Sequence, residues 1–210
     1  MTRIAIDRRT LFGLGALAIA GRPLAAGAID VAAAIVPIQR LTDALLAIMR
    51  AGRATPFEQR FAQLAPVIDN AFDLDTFLQN SVGPTWQTLP PDQKSQLQAA
   101  FRRYTIARYV NSFDSYDGQR FTISPTTRAL ANGQQIVETR IVPRSGTSHV
   151  LAYVMRPDGQ RWRAVDVLAD SISQVAVQRS DFRALLSRGG APALVASLQS
   201  KTTNLWRGAG

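Results

Sequence analysis

The sequence contains no cysteine, a single histidine (His149) and only two lysines, Lys94 and Lys201. Without cysteine there is neither a disulfide framework nor a thiolate metal site, and the absence suits an oxidising compartment. One histidine leaves little room for nucleophilic catalysis. A hydrolase triad needs an imidazole held by a carboxylate and facing a nucleophile. Ser145 and Ser148 are too near His149 in sequence to form one, and there is no Gly-x-Ser-x-Gly elbow. A lone His at a turn reads first as polar surface. Phosphate loop, dinucleotide fingerprint, EF-hand loop and metal-ligand spacing are all missing. So is any internal repeat, low-complexity linker or run of five basic residues of the kind that marks a nucleic-acid tail.

What is present describes a folded domain. The chain has 210 residues, 46% hydrophobic and 19% charged, which excludes a disordered polymer. The net charge is +9, carried almost wholly by Arg. The basic residues are scattered, and the densest groups are Arg102–Arg103 with Arg108, and Arg161 with Arg163 around Trp162. Scattered charge reads as a solvated basic surface, with attraction to an anionic membrane surface or an acidic partner as the functional reading.

Residues 1–28 have the layout of an export signal. Arg3, Arg8 and Arg9 precede the apolar stretch "LFGLGALAIA" (11–20), and "AGA" (26–28) supplies small residues for cleavage. "DRRTLF" (7–12) fits a twin-arginine signal as well as an ordinary one. Cleavage after Ala28 removes four Arg and one Asp, lowering the net charge by three to +6. The apolar stretch is too short to span a bilayer, and no other segment is expected to do so. The expectation is a soluble, exported protein with no nucleic-acid partner, consisting of one domain (29–205) and a disordered tail (206–210).

Apolar spacing predicts helices at 35–50, 55–72 and 73–83, then a long one at 88–113. "TPFE" (55–58) reads as a capping box with Thr55 as cap, and Pro66 as a kink. In the long helix Leu97, Phe101 and Tyr104 form one stripe, and Ile106, Tyr109, Val110 and Phe113 shift it round. Its apolar face is therefore broad enough to cover a sheet and also meet a second element or a ligand. After "YDG" (116–118) the texture turns to strands: 120–124, 135–143, 149–156 and 161–169, with a fifth at about 173–177. Helices at 180–188 and 192–203 follow, split by Gly189–Gly190. The order gives an α+β fold: N-terminal helices, a curved antiparallel sheet of about five strands, and C-terminal helices, with room for an apolar cavity between the layers.

Carboxylates mostly sit where local structure explains them. Asp73 and Asp75 open a helix, where they cap free N–H groups. Asp114 and Asp117 lie in a turn. Asp166 alternates with Val165 and Val167 in a strand; facing inward, it needs a partner such as Arg140 or Arg163.

Four stretches taken in order resemble the MlaC-like (toluene-tolerance) family of periplasmic phospholipid-binding proteins. They are "FDLDTFLQNSVGPTWQTLPPDQKSQL" (72–97), "FRRYTIARYVNSFDSYDG" (101–118), "YVMRPDGQRWRAVDVLADSISQVAVQRSDFRAL" (153–185) and "GGAPALVASL" (189–198). The match covers about two-thirds of the chain. It departs from the family at "ADSIS", where Asp170 stands in a bend that is commonly Gly-x-Ser; Asp tolerates unusual backbone angles.

The resemblance implies a soluble shuttle for phospholipid, or for a hopanoid-type lipid as in one branch of the family. The carrier would work between an inner-membrane ABC transporter complex and an outer-membrane partner complex. It would have no cofactor, no metal and no catalytic residue. For a lipid pocket, alternation and helix stripe select Val137, Ile141, Leu151, Tyr153 and Val167 on the strands, with Phe101, Tyr104 and Ile106 on the long helix. A pocket wall and a packed core use the same residue types, so each of these is equally a core position. Two other readings stay open. One is a scaffold or adaptor with a filled core. The other is a pocket enzyme using Asp166, for which the sequence offers no second catalytic group.

Overall fold

The computed structural model describes residue 30 and residues 32–208; the expected leader lies outside them. Helix α1 (Ile35–Ala51) buries one stripe, Ile38, Leu41, Leu45 and Ile48, each at most 2% exposed. With the 3-10 turn before it, Ala32–Ala51 is long and apolar enough to cross a membrane. This corrects the expectation that no such segment follows the leader. Its apolar stripe is packed in the domain core.

Helix α2 spans Phe57–Ala71. Pro56, not Thr55, holds the N-cap position, because its extended backbone (φ −50°, ψ 141°) delays the helix by one residue. The Thr55 hydroxyl instead donates to the Ala51 carbonyl at 3.3 Å. Helix α2 continues through Pro66, whose carbonyl accepts from Asn70 Nδ2 at 2.7 Å. Helix α3 (Leu74–Val82) is capped by Asp73, which accepts the Thr76 amide at 3.1 Å. The expected long helix at 88–113 is present but starts three residues later. A single turn, α4 (Thr85–Thr88), precedes α5 (Pro91–Ser112), because Pro90 is extended and Pro91 takes the first helical position.

The sheet has six antiparallel strands: β1 (Arg120–Ile123), β2 (Arg128–Ala129), β3 (Gln135–Val142), β4 (His149–Asp158), β5 (Arg161–Ala169) and β6 (Ile172–Ser173). Their order is β1-β3-β4-β5-β6, with β2 pairing beside β1 on the same edge of β3. Register places Tyr153 opposite Val137 and Val167, and Leu151 opposite Thr139 and Ala169. Val137, Thr139, Ile141, Leu151, Tyr153 and Val167 therefore share the inner face. A bulge at Val154/Met155 shifts the β4–β5 register.

The expected fifth strand at 173–177 is not formed. Asp170 (φ 47°) and Ser171 (φ 73°) make a two-residue reversal, β6 is only two residues long, and helix α6 (Gln174–Arg207) starts at once. Two side chains fix this start. Ser173 Oγ accepts the Ala176 amide at 3.1 Å, and Asp166 Oδ1 accepts the Val175 amide at 3.0 Å. The C-terminal helical segment thus begins at Gln174 rather than Ser180. It breaks at Gly189–Gly190, where Gly190 (φ 63°, ψ −160°) has a backbone other residues rarely adopt. Residue 206, expected in a disordered tail, is helical: Trp206 packs on Phe57 and Phe61 with ring centroids 4.7 and 5.3 Å apart.

Both sheet edges are short. β1 and β2 have four and two residues and carry the exposed Arg120 and Arg128. On the other edge β5 is covered by β6, by the Asp73 amide donating to the Ala164 carbonyl at 2.9 Å, and by the Asp166 carboxylate accepting the Val167 amide at 2.7 Å.

Candidate functional site

A cavity of about 190 Å³ lies between the helices and the inner face of the sheet. Its buried floor is aromatic and aliphatic: Phe72, Phe77, Phe101 and Val167. Each arrives there for a local reason. The bridge from Phe72 to Ala164 ends α2 against β5, and the Asp73 cap then turns the chain into α3, bringing Phe77 to the same space. The inward alternation of β3, β4 and β5 adds Ile141, Leu151, Val167 and Ala169. Helix α5 contributes Phe101, Tyr104, Thr105, Arg108, Tyr109 and Ser112, about two residues per turn on one side. The rest of its broad apolar face, including Leu97, Ile106 and Val110, is fully buried.

The rings pack in two groups. Phe77 packs on Phe101 at 5.9 Å, Phe72 on Tyr109 at 5.6 Å, and Tyr109 stacks on Phe113 at 6.0 Å. Polar groups gather at one side, where Arg108 and Ser112 of α5 are exposed and Gln174 and Gln178 of α6 are half-buried. Arg108 Nη2 donates to Gln174 Oε1 at 3.3 Å, linking the two helices there. An apolar interior with a hydrogen-bonding rim suits a ligand with a hydrocarbon body and a polar end.

Five of the eight residues selected from sequence line this cavity: Phe101, Tyr104, Ile141, Leu151 and Val167. Ile106, Val137 and Tyr153 are each fully buried, outside its lining. Phe72, Leu74, Phe77, Tyr109, Phe113, Gln174 and Gln178 also line it and were not selected.

The candidate titratable groups are occupied structurally. Asp166 does not pair with Arg140 or Arg163. Its Oδ2 accepts the Ser173 hydroxyl at 2.6 Å, while Oδ1 takes two backbone amides. Arg163 instead meets Asp158 at 2.8 Å, and Arg140 lies 3.6 Å from Glu138. Asp73, 4% exposed, pairs with Arg156 and lies 3.8 Å from Arg163. Burial works against its charge, but the Thr76 hydrogen bonds and the two guanidinium groups hold its pKa below the ordinary value. His149 Nδ1 and Asp170 Oδ2 lie 2.9 Å apart on the exposed surface. Arg102 is engaged by Asp69 in a two-pronged pair at 2.7 and 2.6 Å, and Arg103 lies over the Trp206 ring at 5.1 Å. Among the described residues no group of three or more His, Cys, Asp or Glu could hold a metal ion.

Residues 39–200 match the model of a family described as MlaC protein. The fold is similar to a solved structure of a phospholipid-binding protein from Ralstonia solanacearum in complex with a phospholipid. The TM-score is 0.71 and the identity 21%, over 82% of this chain and 98% of that one.

Proposed function

The chain belongs to the MlaC family, and on that footing we propose that it is a periplasmic lipid carrier, taking a lipid from one membrane complex and delivering it to another. The observation that carries this reading is the apolar cavity between sheet and helices, with aromatic walls and Arg108 joined to Gln174 at its edge. Burying hydrocarbon is favourable by about 0.8 kcal/mol per CH₂, so a dry cavity binds an acyl chain without any directed polar contact. The ligand bound by the Ralstonia solanacearum relative supports phospholipid as the cargo class.

At about 190 Å³ the cavity is below the roughly 300–1,000 Å³ of ordinary ligand sites. It offers space for part of one alkyl chain, and a diacyl lipid requires the helix layer and the sheet to separate. The Arg108–Gln174 hydrogen bond joins α5 to α6, so parting of these two helices at the rim is a second way to widen the space. Phe101, Tyr104, Ile141, Leu151 and Val167 are the wall residues of the proposed site, with Phe72, Phe77 and Tyr109. Partners would be an inner-membrane ABC transporter complex and an outer-membrane complex, reached after export by the N-terminal leader. No step in this function needs a covalent intermediate, which agrees with the structural employment of Asp166.

The test is native mass spectrometry of the protein purified from its exported compartment, followed by lipid extraction. A stoichiometric lipid mass is the expected result. A clean apo mass that persists after incubation with phospholipid vesicles would overturn the carrier reading in favour of a scaffold.

A further inference from the structure

A second hollow, of about 480 Å³, lies between α5 and the last turns of α6. Its base is the buried pair Ala100 and Thr202, and the half-buried Trp206 lines it beside them. Arg103 and Arg207 stand exposed at its edge, and no acidic residue lines it. The lysine next to its base, Lys201, is exposed as well.

These cations are held by rings rather than by acids. Arg103 lies over Trp206 at 5.1 Å and over Phe61 at 5.9 Å, and Lys201 lies over Tyr104 at 5.9 Å. Among the described residues, none of Arg103, Lys201 and Arg207 has a carboxylate within ion-pair distance. The neighbouring arginine shows the contrast: Arg102 is taken up by Asp69 in a two-pronged pair. A guanidinium already stacked on a ring loses little freedom when its fork of N–H groups takes a carboxylate. Trp206 is itself steadied by Phe57 and Phe61, with ring centroids 4.7 and 5.3 Å away. Arginine and tryptophan around a recess are the residue types on which protein interfaces concentrate their binding energy. A flat bilayer cannot fill a hollow between two helices, whereas a protruding protein segment can.

We propose that this groove docks an acidic segment of a partner protein. Carboxylates of the segment pair with Arg103, Lys201 and Arg207, and an apolar side chain between them packs on Trp206. The proposal rests on the carrier reading for the partner's place, a membrane complex that gives or takes the lipid. Tyr104 connects the two sites, because it lines the lipid cavity and has Lys201 over its ring. A docked segment therefore sits one side chain away from the cargo.

The test selects random dodecapeptides displayed on phage against the exported protein, then measures the selected peptides by fluorescence anisotropy. The expected sequences place Asp or Glu on both sides of Leu, Phe or Trp. Their affinity is expected to fall about tenfold in R103Q and in R207Q, the loss of one charge-assisted hydrogen bond. It should hold in R120Q, which removes an exposed arginine on β1. Neutral or basic sequences, no selected sequence, acidic peptides that bind the R103Q/R207Q double variant as tightly as wild type, or an equal loss in R120Q would each overturn the proposal. So would phosphatidylglycerol vesicles that float the wild type and not the double variant while the peptides bind both, since the face would then belong to a bilayer. The double variant should load lipid as wild type does. A wild-type protein that binds the acidic peptides through Arg103 and Arg207 and never loads lipid would uphold the groove and overturn the carrier reading.

Discussion

Asp166 and Ser173 are joined by a 2.6 Å hydrogen bond across the reversal between β5 and β6, with the serine hydroxyl donating to the carboxylate. The same carboxylate takes the amides of Val167 and Val175, and the same hydroxyl receives the amide of Ala176. The pair therefore ends a strand and starts a helix in one network. Because Gln174 and Gln178 lie in the first turns of that helix, the network also sets one side of the cavity rim.

Replacing Asp166 by Ala leaves two backbone amides and one hydroxyl without their acceptor. We expect a loss of about 2–3 kcal/mol in urea unfolding, and about 1–2 kcal/mol for S173A, which removes the helix cap and the hydroxyl's bond to Asp166. Because the two side chains share one network, the double variant should lose less than the sum of the single losses. Additive losses would show that they act independently.

Leu151 is a wall residue at the meeting of β3, β4 and β5. L151R places a charge in the cavity with room to reach its mouth, so the protein should still fold. Lipid uptake from vesicles should fall at least tenfold, because a charged side chain in an apolar cavity displaces hydrocarbon and draws in water. Undiminished uptake by a folded L151R protein would remove Leu151 from the wall.

Asp73 gives the fold a dependence on acid. Its pKa in the folded protein lies below the ordinary 3.8, so the unfolded chain takes up this proton first as pH falls. The stabilisation it supplies is complete above that ordinary value and is lost as pH drops through the folded-state pKa. D73N should therefore be less stable than wild type at neutral pH. The gap should close below about pH 4, as read by denaturant titrations across pH. A gap unchanged between pH 7 and pH 3 would mean the charge at Asp73 contributes nothing.

Gly190 divides α6 with a backbone (φ 63°, ψ −160°) that an L side chain adopts only under strain. G190A is expected to cost about 1–3 kcal/mol and to lower the melting temperature. Gly189 faces a different obstacle, since a Cβ there would lie 2.7 Å from the Ala193 Cβ. Equal melting of G190A and wild type would show that the break moves at no cost.

Most elements were legible because their signals are local. Runs of β-branched residues located the three long strands and the short β1, and the proline-led starts located α2 and α5 to within three residues. Where Val175 and Val177 imitate such a run, a strand was expected and a helix stands. The decisive signal was the side-chain caps from Ser173 and the distant Asp166, and the second is invisible to a local pattern. Gln174 and Gln178 were missed for the same reason.

The cavity was legible in part. Alternation says which side of a strand faces inward but not how far along the strand the space extends. Ile141 and Leu151 therefore fall on the wall, while Val137 and Tyr153, on the same face, fall in packed core. Ile106 lies on the side of α5 turned away from the space. Phe72 and Phe77 read as ordinary helix-stripe residues, and only the docking of Phe72 on Ala164 of β5 brings them to the site.

The short sheet edges bear on how the protein behaves in a crowded compartment. An open β-sheet invites neighbouring chains to add strands, and the route leads to fibrils and inclusion bodies. Here one border offers two short strands with protruding arginines, and the other is taken up by the chain's own backbone and by one carboxylate. A molecule built this way can keep a greasy interior at high concentration without its copies zipping together. The same geometry leaves only the short outer edges of β1, β2 and β6 open to added strands, so a protein that held this one by its sheet would find few backbone groups to pair with.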